Sequence, residues 1–254
     1  ALALWLLGSP DQAVAAAAQA TRLAERARHP FSTAFAVLSS VWVRHLRGEV
    51  GITLHEAESA LAFTTEQGFP SWRAHALVLK GWAESQRGHA PAALADIEEA
   101  LFTYESTGAK VWQPMFLLLH AQAASEAGLP AKALASVDRA LGIAHQMGTY
   151  WWTAELLRVK GELLAARGDV PDEAARCFER ALFIARNQAA RSIELRVLLS
   201  QVHHLRQERA RQDALDALRG AHAAFTEGFD TADLLRARAL LQAGPRRTEA
   251  APLT

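Results

Sequence analysis

Glycine returns at a fixed interval. Gly8, Gly48, Gly88, Gly128 and Gly168 stand 40 residues apart; Gly68, Gly108 and Gly148 fall midway, and Gly228 belongs to the same series. A period of about 20 to 50 residues marks a chain made of stacked copies of one supersecondary unit. Each unit buries its apolar face against its neighbours, so the array presents a long surface rather than a single catalytic pocket. Between the glycines the apolar residues keep helical spacing: Trp72, His75, Ala76, Leu79 and Ala83 share one stripe. No segment alternates with period two, and the intervals are rich in the helix formers Ala, Leu, Arg and Glu. The expected fold class is all-α.

Each 40-residue interval reads as a helical hairpin. The first helix ends near a glycine suited to a left-handed C-cap. Pro10, Pro91, Pro130 and Pro171 then open second helices, where a first-turn N–H has no helical partner to lose. An alanine recurs inside the second helices, at Ala20, Ala60, Ala100 and Ala140, then at Ala181 and Ala221 after a one-residue insertion near Val170. Leu61, Leu101, Leu141 and Leu182 follow it. Small residues at this position let two helices approach, and the leucine fills the seam. The expected organisation is one repeat domain over 1–243, with hairpins at about 1–28, 30–68, 70–108, 110–148, 150–188 and 190–228 and a capping helix at 230–242. Within the later hairpins the helices are expected at 110–127, 150–167, 190–208 and 211–227. Residues 244–254, with Pro245 and Pro252, read as a flexible C-terminal tail. The opening Ala1–Gly8 has neither initiator Met nor basic leader; it looks like the end of a helix inside a larger protein.

The pattern Gly81–Gly88–Ala93–Ile97–Ala100–Leu101 resembles the tetratricopeptide repeat, and Gly161–Gly168–Ala174–Phe178–Ala181–Leu182 fits with one extra residue. The period is 40 where the family usually has about 34, which implies helices a turn longer, ~18 residues or ~27 Å. The resemblance implies a right-handed superhelical solenoid whose first helices line the concave face. A narrower likeness covers the second half. Residues Glu155–Leu164, Ala174–Leu182, Arg191–Arg196 and Phe225–Leu234 are similar to the C-terminal repeat region of large bacterial signalling proteins. Those proteins join an adenylate/guanylate cyclase or DNA-binding output domain to an ATPase and then to such repeats. The likeness implies a cytoplasmic, non-catalytic scaffold for protein–protein interaction and signal transduction. Its partner would be the upstream ATPase or output domain, or a separate protein or peptide, and homo-oligomerisation stays open. The alternative is a sensor that binds a small molecule or peptide in the concave groove.

Composition narrows the partners further. Lys+Arg and Asp+Glu are 27 each, so there is no basic excess for nucleic acid or an anionic membrane. The short Arg206–Arg211 stretch reads as a solvated helix end. Cys177 is the single cysteine and reads as a packed thiol. No apolar run approaches the ~18 residues of a membrane span. Among ten histidines there is no HExxH, and adjacent His203 and His204 diverge by about 100° on a helix. No metal site, cofactor site or catalytic constellation is expected.

The candidate binding face follows from the repeat register. Trp72, Trp112 and Trp152 form one column, read as inter-repeat packing; Trp42 and Trp82 form a second, for which core and groove stay open. Counting from the hairpin glycine turns Phe35, Trp42, His45, His75, Trp82, Met115, Gln122, Glu155, Arg158 and Glu162 toward the groove. Aromatic anchors beside a charged flank suit a peptide or helix partner. Lys80, His120 and Lys160 form a further column: a snorkelling row, or a basic line for an acidic partner. No GxxxxGK[ST] loop is present to cradle phosphates. The isolated chain should therefore neither bind nor hydrolyse ATP; isothermal titration and a phosphate-release assay on pure protein check this, and turnover abolished by a mutation within 1–254 would refute it.

Overall fold

The computed structural model describes residues 1–168, 170–205 and 207–242. The expected tail at 244–254 lies outside them, as does Arg206 of the arginine stretch. Among the described residues the chain forms thirteen helices and no strand. They are α1 (Leu2–Leu6), α2 (Pro10–Ala27), α3 (Pro30–Leu46), α4 (Val50–Glu66), α5 (Pro70–Gln86), α6 (Ala90–Ser106), α7 (Gln113–Glu126), α8 (Pro130–Met147), α9 (Thr153–Arg167), α10 (Pro171–Asn187), α11 (Arg191–His204), α12 (Glu208–Ala223) and α13 (Ala232–Gln242). Consecutive pairs form six hairpins, and α13 caps the last. The architecture is a right-handed superhelical solenoid of tetratricopeptide-like hairpins. First helices pack on first helices, α3 on α5, α5 on α7, α7 on α9 and α9 on α11; each second helix sits between two of them.

Local chemistry explains the boundaries. Prolines occupy the first turn of α2, α3, α5, α6, α7, α8 and α10. Gly148 ends α8 in the left-handed region (φ 65°, ψ 22°), which glycine reaches without steric cost. Where the period lacks a glycine the backbone does the same: Arg28 and Ala189 take φ 49° and 51°. Helix α7 starts at Gln113 rather than 110, because the Trp112 N–H donates to the Tyr104 hydroxyl (3.2 Å) and Pro114 sets the first turn. Helix α9 likewise starts late, at Thr153, and α12 runs three residues earlier than expected and stops at Ala223.

The seam of small residues carries the packing. Ala100, Ala140 and Ala181 are fully buried and Ala60 nearly so. Gly161 lets α9 close on α10: a Cβ there would meet the Phe178 ring at 2.6 Å. Ala20 departs from the pattern and is exposed, because α1 is only five residues long and covers just the first turns of α2.

The superhelix also closes on itself, which nearest-neighbour stacking does not require. Trp5 in α1 packs against α11, where the Ser192 hydroxyl donates to the Trp5 carbonyl (2.5 Å) and the Arg196 guanidinium lies 4.7 Å over the indole. Glu227 accepts from the N–H groups of Asp11 (2.9 Å) and Gln12 (3.0 Å), capping α2 from the far end of the chain. Those N–H groups have no intrahelical acceptor, so a carboxylate is well placed there. Arg47, 4% exposed, bonds Asp11 (2.7 Å), Glu49 (2.6 Å) and Asp230 (3.1 Å). Its carbonyl accepts from the Ala232 N–H (3.3 Å) at the start of α13. First and last hairpins thus meet, and the groove becomes the interior of a ring.

Replacing Ala140 with leucine forces a side chain into a fully buried seam and should cost about 1–3 kcal/mol. Thermal or urea melting checks it; an unchanged transition would place the seam elsewhere.

Candidate functional site

The inner helices α3 to α11 project the predicted groove residues toward the ring interior, but not to one fate. Phe35 lies at the ring edge, exposed beside Trp72 (5.6 Å between ring centroids). Trp42 and His75 belong to the core and not to an open groove. The Trp42 Nε1–H donates to His75 Nδ1 (3.0 Å), and the Trp42 ring packs 4.9 Å from Trp112 and 6.3 Å from Phe116, two hairpins along. Aromatic rings from α3, α5 and α7 fill the interior at this end. The Trp72 column contributes to the same cluster: Trp72 packs on His75, and Trp112 on Trp151.

The other seven predicted residues share one cavity of about 480 Å³. His45, Trp82 and Met115 line its apolar side, Gln122 stands between, and Glu155, Arg158 and Glu162 line its charged side. Trp82 is only 7% exposed, and its ring meets His45 edge-on at 4.2 Å. It is both core and wall, so its removal would cost stability as well as any binding.

A buried ionic network forms the charged side. Arg158 gives Nε and Nη2 to the two oxygens of Glu155 (2.8 Å each) and Nη1 to Glu162 (2.7 Å). Arg196 reaches Glu155 (3.2 Å), Asp233 on α13 (2.7 Å) and the Leu46 carbonyl (2.7 Å). Ser200 donates to Glu162 (2.7 Å). Burial alone would raise the Glu155 carboxyl, yet Arg158 and Arg196 hold it well below the ordinary carboxylate range. Register reasoning missed Arg196 and Asp233, although both sit in the stretches that carried the family likeness. They arrive here through ring closure, which the repeat period does not encode.

Two cavity groups lack partners. Nδ1 of His45 and Oε1 of Gln122 are buried without a hydrogen bond. The basic column is not a free line: Lys80 pairs with Asp96 (2.6 Å), His120 with Ser136 (2.7 Å), and Lys160 with Asp138 (2.9 Å), each an acid or hydroxyl on a second helix. A larger cleft, about 590 Å³, opens between α10 and α12 over the seam residues Ala174, Phe178 and Ala214. Among the described residues no group of three or more His, Cys, Asp and Glu side chains is arranged to hold a metal ion, and no helix is long and apolar enough to cross a membrane.

Burial pushes His75 down to about 3, and burial with the nearby Arg196 does the same to His45, against an ordinary 6.5. The folded chain then refuses protons that the unfolded chain accepts. Stability should be greatest above pH 6.5 and fall as pH drops from there toward about 3, by about 1.4 kcal/mol per pH unit for each histidine. Glu155, also lowered, to about 2, would add its own loss only as pH falls below about 4.5. Urea unfolding at pH 7, 6, 5 and 4 measures the slope. The variant His75→Gln, which still accepts from Trp42, should flatten it; an identical slope would show that His75 titrates normally in the fold.

No protein-family model matches the chain, and no curated protein matches it by sequence. Its fold is shared with solved structures. A Rap protein complexed with the Competence and Sporulation Factor aligns over 92% of this chain and 70% of its own, with a TM-score of 0.68 and 11% identity. The apo form of RapI aligns over 87% and 92%, with a TM-score of 0.60 and 11% identity. BtubC from P. vanneervenii aligns over 97% and 98%, with a TM-score of 0.59 and 17% identity.

Proposed function

We propose that the chain is a non-catalytic binding module that holds a short peptide, or a segment of a partner protein, in the central cavity of its ring. The observation that carries this is convergence. Seven residues chosen by repeat register meet at one cavity, with an aromatic and thioether wall on one side and fixed charges on the other. Its volume, about 480 Å³, falls in the range of ligand pockets, enough for two or three side chains. His45 Nδ1 and Gln122 Oε1 are buried there unsatisfied, and such groups gain from a ligand that bonds them. The fold of a Rap protein solved with the Competence and Sporulation Factor supports the same use of the architecture.

The resemblance of 155–164, 191–196 and 225–234 to repeats of bacterial signalling proteins supports reading this module as part of a cytoplasmic signalling protein, where its occupant would control an ATPase and an attached output domain. In that setting the bound segment belongs to the ATPase region or to a separate regulatory protein. A small molecule in the same cavity is the second reading; ring closure, which brings α11 and α13 to the same cavity as α3, favours it.

A randomised heptapeptide display library panned on the pure protein should yield binders that compete with one another for one site. Gln122→Trp places an indole in the cavity without disturbing a hydrogen bond, because the Gln122 side chain makes none. It should leave the melting temperature near wild type and weaken selected peptides about tenfold or more. Peptides that bind this variant as well as wild type would place recognition outside the ring.

A further inference from the structure

The charges around the cavity do not balance. Glu155, Glu162 and Asp233 line it against Arg158 and Arg196. Arg158 is shared between Glu155 and Glu162, and Arg196 between Glu155 and Asp233, so three carboxylates divide two guanidiniums. At the rim Glu126 and Arg236 add one charge of each sign and cancel. His45 does not supply the missing positive charge, since burial keeps it neutral.

The surplus falls on two of the three. Glu155 is 1% exposed, and both its oxygens are taken. Asp233, its side chain 27% exposed, holds Arg196 through Oδ2 alone. Glu162, 28% exposed and on the same helix as Glu155, gives Oε1 to both Arg158 and Ser200 and leaves Oε2 uncommitted. The same cavity is lined by the Trp82 indole and by His45, 6% exposed with Nδ1 unpartnered. A cavity that holds both a carboxylate with a free oxygen and an indole attracts a cation, through ion pairing and through the ring quadrupole together. An anion entering the same space would add to the surplus.

We infer that the cavity receives one cationic group, a guanidinium or ammonium, between Glu162 and the wall formed by Trp82 and His45. The inference rests on the reading of the cavity as a ligand site and, for its natural source, on a lysine or arginine side chain of the bound segment.

The test has two arms. In the first, the peptides selected against Gln122→Trp are sequenced and their affinities measured on wild type, Glu162→Gln and Glu126→Gln. Glu162→Gln keeps an oxygen for Arg158 and Ser200, removes the charge and turns the uncommitted acceptor into an N–H donor. Glu126 is exposed and unpaired, so its variant folds as wild type does. The expected result is a lysine or arginine at one fixed position, Kd raised about tenfold or more by Glu162→Gln, and raised about two- to threefold by Glu126→Gln. Citrulline or norleucine at that position should reproduce the larger loss. In the second arm agmatine, which carries a guanidinium and an ammonium without a peptide backbone, is titrated by calorimetry and should bind wild type and not Glu162→Gln. Selected peptides without a basic residue, or peptides indifferent to Glu162→Gln, would overturn the inference and leave the cavity reading standing. Agmatine binding that depends on Glu162, with no cavity-dependent peptide, would keep the cation site and overturn the peptide reading. Failure of both arms would overturn both.

Discussion

The structure turns on a carboxylate with no water around it. Glu155 is 1% exposed and is gripped by Arg158 from its own helix and by Arg196 from the next hairpin. A lone ionised carboxylate at that depth would be untenable, and a paired one is acceptable only when its bonds are all made. Arg158 makes two of them, and Arg196 makes the third and then continues to Asp233 on the capping helix, to the Leu46 carbonyl at the end of α3, and over Trp5 in α1. One buried charge therefore ties the fifth and sixth hairpins, the cap and the first two hairpins together. A buried ion pair adds little net stability over an apolar core. Its effect is directional: it admits one arrangement of the ends.

That closure changes what a repeat protein offers. An open solenoid presents a groove along its whole length. Here aromatic rings of α3, α5 and α7 plug one end of the interior, and the ionic clasp bounds the other. What remains between them is a walled cavity. The same clasp lends the cavity its charge, so the chemistry of the candidate site is a by-product of the contact that shapes it. Three short stretches supply most of the clasp: Glu155, Arg158 and Glu162, then Ser192 and Arg196, then Glu227, Asp230 and Asp233.

The comparison of two tryptophans shows how far register carries. Trp42 and Trp82 occupy one position in successive repeats, and the period alone makes them equivalent. Yet Trp42 packs on Trp112 and Phe116, two hairpins along, whereas Trp82 lines the cavity that Gln122 and Glu162 also line. The difference lies in the residues that the later hairpins bring to each. Lys80, His120 and Lys160 teach the same lesson. Their column was readable, but the acids and hydroxyl that engage them come from helices whose facing angle is set by packing.

The sequence by itself determined the all-helical fold, the hairpin period, the turns and the seam at Ala100 and Ala140, because these depend on contacts within one repeat or between neighbours. Glycine, proline and alanine impose them locally. Even the turns at Arg28 and Ala189, which no glycine announces, follow from the spacing around them. Tertiary structure alone decided that the ends meet, that Arg47 reaches Asp11 and Asp230 while Arg196 reaches Glu155 and Asp233, and which groove residues remain open. Those outcomes join residues up to 217 positions apart. They depend on the accumulated twist of six hairpins, a quantity that small packing angles set and no single repeat contains.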